Sequence, residues 1–384
     1  MQFTIARSAL HRALALINHA TVRGNTSLPL LAYLRLEVEQ DLQQLRLQAT
    51  NLEISVSVWT PIEEVDTPGV LAVPAKLLTD LVGSLEEGKL TFEIDLDVWK
   101  ITLVHTKGQA IFMGQSAGEY PSIPLPEAGA SVVSIPAMPF ARAVRSAGVS
   151  LAHDDSKPAL ACFLLQGAME RLILATTDGR RVSESSVVLA PGQDAGQLGP
   201  LLIPGRALAE LATVFSDTSF QLSLTPNRSQ VLFSTPHLVC SAILQSGEFP
   251  NYRAVVPPQR PLRVEVSTDE LQRLVQQARI FTGAEQRAAR FSIQPGAGIT
   301  PGSLTLSTRN EAGNTYISAP ALVRGESTTV SFDIQLIHEA LQTVSTPKVV
   351  LEIGQATAAR TPAPAGILMP IGGDNLHAFM SMKA

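Results

Sequence analysis

The stretch Phe3–Ile17, FTIARSALHRALALI, passes from alternating polar and apolar side chains into a helical pattern. The apolar residues of its second half are spaced i, i+3, i+4 and i+7: Leu10, Ala13, Leu14 and Ile17. This spacing places them on one face of an amphipathic helix. The chain is therefore predicted to begin with a strand that runs directly into a helix.

The same pattern occurs twice more along the chain. Val133–Ala147, VSIPAMPFARAVRSA, repeats it with a shift of 130 residues, and Val264–Ala278, VEVSTDELQRLVQQA, with a shift of 261. A second helical pattern also occurs three times, in 71–85, 201–215 and 331–344. Each unit thus has two amphipathic helices among several short alternating strands. We predict three tandem α+β domains, at about 1–128, 129–258 and 259–384.

Composition and charge limit the possible functions. The chain has 384 residues, of which 45% are hydrophobic and 16% charged, so a folded protein is expected. Its net charge of −5 argues against binding nucleic acid through bulk positive charge. The charge is uneven, because the three first helices carry +4 and the remaining residues −9. Arg12 recurs as Arg142 and Arg273, off the apolar stripe each time, which favours a shared functional face.

The second helices carry a weaker signal of the same kind. Lys76 recurs as Arg206, and the third repeat has Gln335 at this position. Two interpretations stay open for these cations. They contribute to the same basic face, or they form ordinary i,i+4 surface pairs with Asp80 and Glu210.

Several near-matches to catalytic or metal motifs do not predict an active site. Gly83–Leu90, GSLEEGKL, lacks the final Ser or Thr of a phosphate-binding loop, and His338–Gln342, HEALQ, lacks the second histidine of a zinc site. Gly114–Gly118, GQSAG, matches the nucleophile elbow, but Tyr120 and Pro121 follow where a helix is needed. Cys162 and Cys240 have neither disulfide nor metal-ligand spacing. No catalytic residue, metal or cofactor is predicted.

Several segments resemble the bacterial DNA sliding clamp, the β subunit of DNA polymerase III, over essentially the whole chain. The segments that carry the resemblance are SLPLLAYLRLEV, ATNLEISV, VPAKLLTDLV and GEYPSIP in the first repeat, DDSKPAL, ATTDGRRV, IPGRALAEL and GEFPNYRAVVP in the second, and GILMPI in the third.

The resemblance implies the fold and the way of binding DNA. It implies three copies of one α+β clamp domain per chain, with two chains closing head to tail into a dimeric ring whose helices face duplex DNA. By the same resemblance, the residues near phosphates would be Arg12, Arg23, Lys76, Arg142, Arg145, His153, Lys157, Arg206 and Arg273. The family often has a basic residue at the position of Asn25, so Arg23 is expected to replace it.

The resemblance also implies a hydrophobic groove between domains two and three that binds short linear peptides. Its walls would be Leu160, Thr177, Gly179, Arg180, Arg181, Val182, Pro250, Val255, Ile367, Leu368, Met369, Pro370 and Ile371. Without the resemblance, ordinary core packing is the preferred interpretation of the aliphatic members. The chain departs from the family at Ala254, where a basic residue is common, and in an atypical tail, 372–384, which follows the Met-Pro-hydrophobic run.

The resemblance therefore implies a processivity factor without chemistry of its own, which takes part in DNA replication and strand elongation. Its partners would be double-stranded DNA, a second copy of itself, and the DNA polymerase, clamp loader and repair proteins. No apolar run is long enough to cross a membrane, and the cytoplasm is expected, close to the nucleoid. Two alternatives are a serine hydrolase that uses Ser116 and a clamp-like paralogue with different partners.

Overall fold

The computed structural model describes residues 1–22, 28–154, 156–215, 219–283, 287–311, 313–354 and 365–382. The chain forms two compact units, which are described separately. Unit 1 contains Met1–Ala137 and Arg206–Leu244, and unit 2 contains Met138–Gly205 and Gln245–Ala384. Within the described ranges, no helix is both long and apolar enough to cross a membrane.

Among its described residues, the first repeat contains two α-helices and nine strands. They are β1 (Gln2–Ala6), α1 (Arg7–Ile17), β2 (Tyr33–Glu39), β3 (Gln44–Thr50), β4 (Ile54–Pro61), β5 (Glu64–Thr67), β6 (Gly69–Pro74), α2 (Ala75–Ser84), β7 (Lys89–Asp95), β8 (Lys100–His105) and β9 (Gly108–Met113).

The described part of the second repeat follows the same order without a counterpart of β5. Its elements are β10 (Val133–Ile135), α3 (Ala137–Gly148), β11 (Cys162–Ala168), β12 (Arg171–Thr177), β13 (Arg181–Val188), β14 (Pro200–Pro204), α4 (Gly205–Val214), β15 (Phe220–Leu224), β16 (Gln230–Thr235) and β17 (Leu238–Ile243).

The third repeat has the order of the second. Its elements are β18 (Leu262–Ser267), α5 (Thr268–Ile280), β19 (Ala288–Gln294), β20 (Gly302–Asn310), β21 (Gly313–Arg324), β22 (Thr328–Asp333), α6 (Ile334–Leu341), β23 (Lys348–Ile353), β24 (Ala365–Pro370) and β25 (Asn375–Met380).

The fold is α+β, as predicted, and the three strand-to-helix transitions are present. The helical apolar stripes are buried, because each first helix turns them toward its own sheets. These residues are Leu10, Ala13, Leu14 and Ile17 in α1, Phe140, Ala143, Val144 and Ala147 in α3, and Leu271, Leu274, Val275 and Ala278 in α5. At the start of α6, the Asp333 carboxylate accepts a hydrogen bond from the Gln335 amide at 3.0 Å, which satisfies one of the free amides of the first turn.

Strand pairing links neighbouring repeats within each unit. Unit 1 has a five-stranded sheet, β5-β1-β7-β8-β9, and an eight-stranded sheet, β10-β15-β16-β17-β4-β3-β2-β6. Unit 2 has one twelve-stranded sheet, β14-β11-β12-β13-β25-β24-β23-β18-β21-β20-β19-β22. In unit 1 the last strand of the second repeat, β17, pairs with β4 of the first. In unit 2 the last strand of the third repeat, β25, pairs in the same way with β13 of the second.

This pairing corrects the expectation of an atypical tail after Ile371. Asn375–Met380 is β25, the last strand of the third repeat, and it lies between β13 and β24. Its counterparts are Gly108–Met113 and Leu238–Ile243, which also follow two strands after the second helix. The resemblance at GILMPI therefore identified β24, one strand earlier than the end of the repeat.

Candidate functional site

A pocket of about 420 Å³ lies in unit 2, where three segments of the second repeat meet β25. The three segments are a short turn before β11, the β12–β13 turn and the chain after β17. Eight of the groove residues expected from the sequence line it: Leu160, Thr177, Gly179, Arg180, Arg181, Val182, Pro250 and Val255. Sequence reasoning thus placed three separate segments around one pocket.

The β12–β13 turn has a geometry that its sequence dictates. The Thr177 hydroxyl donates to the carbonyl of Arg181 at 2.6 Å and accepts from the amide of Gly179 at 3.1 Å. The Asp178 carboxylate accepts from the amides of Arg180 and Arg181 at 2.9 and 3.1 Å. Gly179 has φ +86°, a conformation that glycine adopts without steric cost. The sequence Thr-Asp-Gly-Arg therefore fixes the backbone at the rim of the pocket.

Arg181 belongs to the wall of the pocket, since its side chain is only 7% exposed. Its guanidinium lies 3.0 Å from the carboxylate of Asp178 and 2.6 Å from that of Glu339 on α6. Burial opposes ionisation of Glu339, but hydrogen bonds from Gln335 and Arg181 lower the pKa of Glu339 overall. Because its charge is neutralised inside the protein, Arg181 holds β13 against α6.

The wall of the pocket that the third repeat provides differs from the one expected from the sequence. Among the described residues, the pocket is closed by Ala365, Ala378, Phe379 and Met380, and not by Ile367–Ile371. Ile367 is fully buried in a core beneath the pocket that includes Val182 and Ala378. Leu368 is buried in the main core of the third repeat. Met369 is half-buried, Pro370 is buried and Ile371 is exposed. The reason is that β25 lies between β24 and β13 and covers this side of β24.

Tyr252 is a lining residue that sequence reasoning missed. It is buried, its hydroxyl donates to the Glu184 carboxylate, and the Arg253 guanidinium lies 5.8 Å from its ring centre. Burial, and then the hydrogen bond to Glu184, raise the pKa of Tyr252, so it stays a neutral donor. Its position in GEFPNYRAVVP, between the expected groove residues Pro250 and Val255, could have indicated that it lines the pocket. Lys157, expected near DNA, also lines the pocket.

A buried polar network lies behind β25. The Nδ1 atom of His377 is 2.7 Å from the hydroxyl of Ser183, which is itself 2.7 Å from the hydroxyl of Ser150. The Nε2 atom lies 3.4 Å from the Thr343 hydroxyl. Burial, with a smaller contribution from the Arg181 charge, lowers the pKa of His377 to about 4. The network thus joins β13 and β25 to the segments that follow α3 and α6 through a neutral histidine.

The expected DNA-contacting residues lie mainly on exposed helix faces. Arg12, Lys76, Arg142, Arg145, Arg206 and Arg273 are exposed, as are His153 and Lys157 in a loop. In the described parts of the chain, none of these six helix cations forms an ion pair within 4 Å. The proposed Arg206–Glu210 pair is absent there, and Glu210 instead lies 2.9 Å from Nδ1 of His19. Arg23 and Asn25 lie outside the described residues.

Ser116 lacks the surroundings of a nucleophile. It is exposed after β9, and its hydroxyl accepts a hydrogen bond from the Gly118 amide at 3.2 Å. The next element that the structure describes is β10, so the strand is not followed by the helix that a nucleophile elbow needs.

Comparison with known proteins agrees with this geometry. The family model of the DNA polymerase III beta subunit, N-terminal domain, matches residues 1–124, and that of its central domain matches residues 134–251. The chain belongs to the DNA polymerase III beta subunit family. The two matches to this beta subunit family end at residue 124, after β9, and at residue 251, just before Tyr252. They include the first helices of the first two repeats, α1 and α3, and most of the pocket residues of the second repeat.

Relatives and solved structures cover nearly the whole chain. The beta sliding clamp of Synechocystis sp. is 25% identical over 395 residues, which cover 97% of this chain and 96% of the relative. The sliding clamp structure from Bacillus subtilis has a TM-score of 0.88 at 19% identity and covers 100% of this chain and 99% of its own. A beta subunit structure from Pseudomonas aeruginosa, bound to griselimycin, has a TM-score of 0.86 at 20% identity and covers 100% of both chains.

Proposed function

We propose that the chain is the sliding clamp of a replicative DNA polymerase. It encircles duplex DNA as a homodimeric ring, confers processivity without a catalytic site of its own, and works at the nucleoid in the cytoplasm. Membership of the beta subunit family supports this function. The observation that carries it is the presence of exposed arginines at one position of the three first helices, which form no ion pair with the residues that the structure describes: Arg12, Arg142 and Arg273.

The three repeats correspond in this proposal to three clamp domains, 1–128, 129–258 and 259–384. Each has one first helix with exposed cations and one second helix, and the six α-helices of the described residues double to twelve in a dimer. The phosphate contacts come from the helix cations, including Lys76, Arg145 and Arg206, with His153 and Lys157 contributing from a loop. Arg23 contributes a further phosphate contact in this proposal. Few contacts suffice, because a closed ring holds DNA topologically and sliding requires weak contacts.

Two open strand edges support a head-to-tail dimer. β9 ends its sheet, and its Ile111 and Met113 are each 55% exposed. β21 pairs with β20 along Gly313–Ala321, and in the described residues the other side of this segment has no strand partner, while its Tyr316 is 75% exposed. The strands equivalent to β21 are β4 in the first repeat and β13 in the second. On the side where β21 is open, β4 pairs with β17 and β13 pairs with β25. We propose that β9 of one protomer completes β21 of the other, which removes two aggregation-prone edges.

The pocket of unit 2 is proposed as the docking groove for short linear peptides of the DNA polymerase, the clamp loader and repair proteins. Its half-buried Leu160 and Val255 and its exposed Met380 form an apolar surface that different side chains can fill. In the same proposal Ile367, buried in the core beneath the pocket, and Met369, packed against that core, support this surface from β24.

Retention on circular DNA tests the proposal. The purified protein is loaded onto a nicked plasmid, which is then either left circular or linearised, and protein that stays bound is measured by gel filtration. Encirclement predicts retention on the circle and loss from the linear form, with a solution mass of twice the chain's 40.9 kDa. Equal release from both forms, or a monomer at micromolar concentration, would contradict it.

A further inference from the structure

Arg180 is a cation that a fixed backbone holds at the rim of the pocket. Its amide donates to the Asp178 carboxylate at 2.9 Å, and its carbonyl accepts from the amide of Met380 on β25 at 3.2 Å. The side chain is exposed and forms no ion pair with any residue that the structure describes. Its neighbour Arg181, in contrast, is buried and paired with two carboxylates. Arg180 is therefore held in place through its backbone, while its charge stays available.

The first repeat contains the same turn with the opposite charge. The Asn51 side-chain oxygen accepts from the amides of Glu53 and Ile54 at 2.9 and 2.7 Å, as Asp178 does in the second repeat. The carbonyl of Glu53 accepts from the amide of Ile243 on β17 at 3.0 Å, which is the counterpart of the bond between Arg180 and Met380. Glu53 thus occupies the position of Arg180 at the junction of the first two repeats.

Two other charged residues line the pocket, Lys157 and Glu248, and neither lies at the turn that holds Arg180. Lys157 lies close enough to Asp154 to contribute to lowering the pKa of that carboxyl, although hydrogen bonds from Ser156 contribute more. Glu248 is exposed on the segment that carries Pro250, on a different wall from the turn. At the wall formed by the turn and β25, the charge offered to a ligand is therefore positive.

We propose that Arg180 selects peptides that carry an acidic residue beside the apolar side chains that fill the pocket. Glu53 places the opposite charge at the equivalent turn of unit 1, so that the two similar turns differ in the charge that they offer to a ligand. This inference rests on the proposed peptide groove. Its physical basis is charge complementarity at the rim of an apolar pocket, which contributes more to specificity than to total affinity.

The test begins with random heptapeptides displayed on phage, selected on the immobilised full-length protein. The best binder is synthesised with a fluorescein label, together with a version in which its acidic residue is lysine. Affinities of both peptides are measured by fluorescence polarisation for the wild type, Arg180→Glu and Val255→Tyr, which fills the pocket. Arg290→Glu on β19 is the matched control, because Arg290 is also exposed and the change in net charge is the same.

The expected result is a tenfold or larger loss of affinity of the acidic peptide for Arg180→Glu, with little change for Arg290→Glu. The lysine peptide should bind Arg180→Glu more tightly than it binds the wild type, since two charge reversals restore an attraction. If binding is blocked by Val255→Tyr but changes less than twofold in Arg180→Glu, the groove stands and the selection by Arg180 is refuted. If no selected peptide is sensitive to Val255→Tyr, the groove and the inference both fail.

Discussion

His377 Nδ1 lies 2.7 Å from the hydroxyl of Ser183, although the two residues are 194 positions apart in the chain. The contact joins β25 of the third repeat to β13 of the second, directly behind two residues that line the pocket, Val182 and Ala378. Both partners are buried, so a change in the charge of His377 is expected to act on the wall of the pocket.

Stability should fall in mildly acidic solution because of His377. Its pKa is lowered to about 4 in the folded protein, from an ordinary value of 6.5. Between these values the unfolded chain binds a proton that the folded protein does not, so the free energy of unfolding decreases as pH falls from 6.5 to 4 and levels off below. The loss attributable to this residue is on the order of 3 kcal/mol.

Urea denaturation at several pH values, for the wild type and His377→Asn, measures this contribution. The variant is less stable at neutral pH but should show a shallower decrease between pH 6.5 and 4. The exposed His237→Asn serves as control and should keep the wild-type slope. An equal slope for His377→Asn would contradict the assignment.

Substitution should change stability in opposite directions at two equivalent turns, the β12–β13 turn of the second repeat and the β3–β4 turn of the first. Gly179 has φ +86° and Leu52, at the corresponding position, has φ 75°. Gly179→Ala places a Cβ where no heavy atom lies within 4 Å, so its cost of about 1 kcal/mol is purely conformational. Leu52→Gly should be neutral or stabilise by up to about 1 kcal/mol, because Leu52 is 46% exposed and loses little packing. Thermal unfolding of both variants measures these changes in stability. A stabilising Gly179→Ala would contradict the positive φ of Gly179 in this turn.

Phe379 should be essential to the stability of unit 2. It is 3% exposed and belongs to the main core of the third repeat, so Phe379→Ala should cost about 3–5 kcal/mol. Met382→Ala is the control, because Met382 is 40% exposed and should change stability by less than about 0.5 kcal/mol. Denaturant unfolding monitored by circular dichroism distinguishes them. If Phe379→Ala cost less than Met382→Ala, β25 would have to be regarded as a dispensable tail.

The exposed helix arginines should determine the salt dependence of DNA binding. Replacement of Arg142 by glutamine should reduce the slope of log K against log salt by about 1, since one phosphate contact is lost. Arg145→Gln should act in the same way. Fluorescence polarisation of a short labelled duplex between 20 and 200 mM salt, about the usual range for such titrations, gives the slopes. Arg290→Gln, away from the first helices, should leave the slope unaltered, and an unchanged slope in Arg142→Gln would remove that residue from the interface.

The sequence predicted those features that depend on local periodicity. The helices and their buried faces follow from residues such as Leu14 and Val144, because a helical stripe is visible in consecutive residues. The turn at Asp178 and Gly179 was equally predictable, since these residue types favour one backbone geometry. Eight of the expected groove residues line one pocket, and they come from the motifs of the second repeat that carry the resemblance.

Features that depend on the order of strands in a sheet could not be predicted from local sequence patterns. Ile367 and Met380 both lie in short apolar strands, and only the pairing of β25 with β13 shows which of the two strands reaches the pocket. The Met-Pro run at Met369 predicted that β24, the earlier strand, would line the pocket. Tyr252 was missed because its buried hydroxyl depends on Glu184, 68 residues away in the chain.

The position of β25 in the sheet also sets an order of events during synthesis. The β12–β13 turn is translated long before β25, because the rest of the second repeat and nearly the whole third repeat separate Arg181 from Phe379. Until that repeat has left the ribosome, β13 has an open edge and the apolar residues beside it lack their wall. A nascent chain therefore has no complete surface for partners, and the peptide groove becomes functional only when the last strand of the unit is inserted.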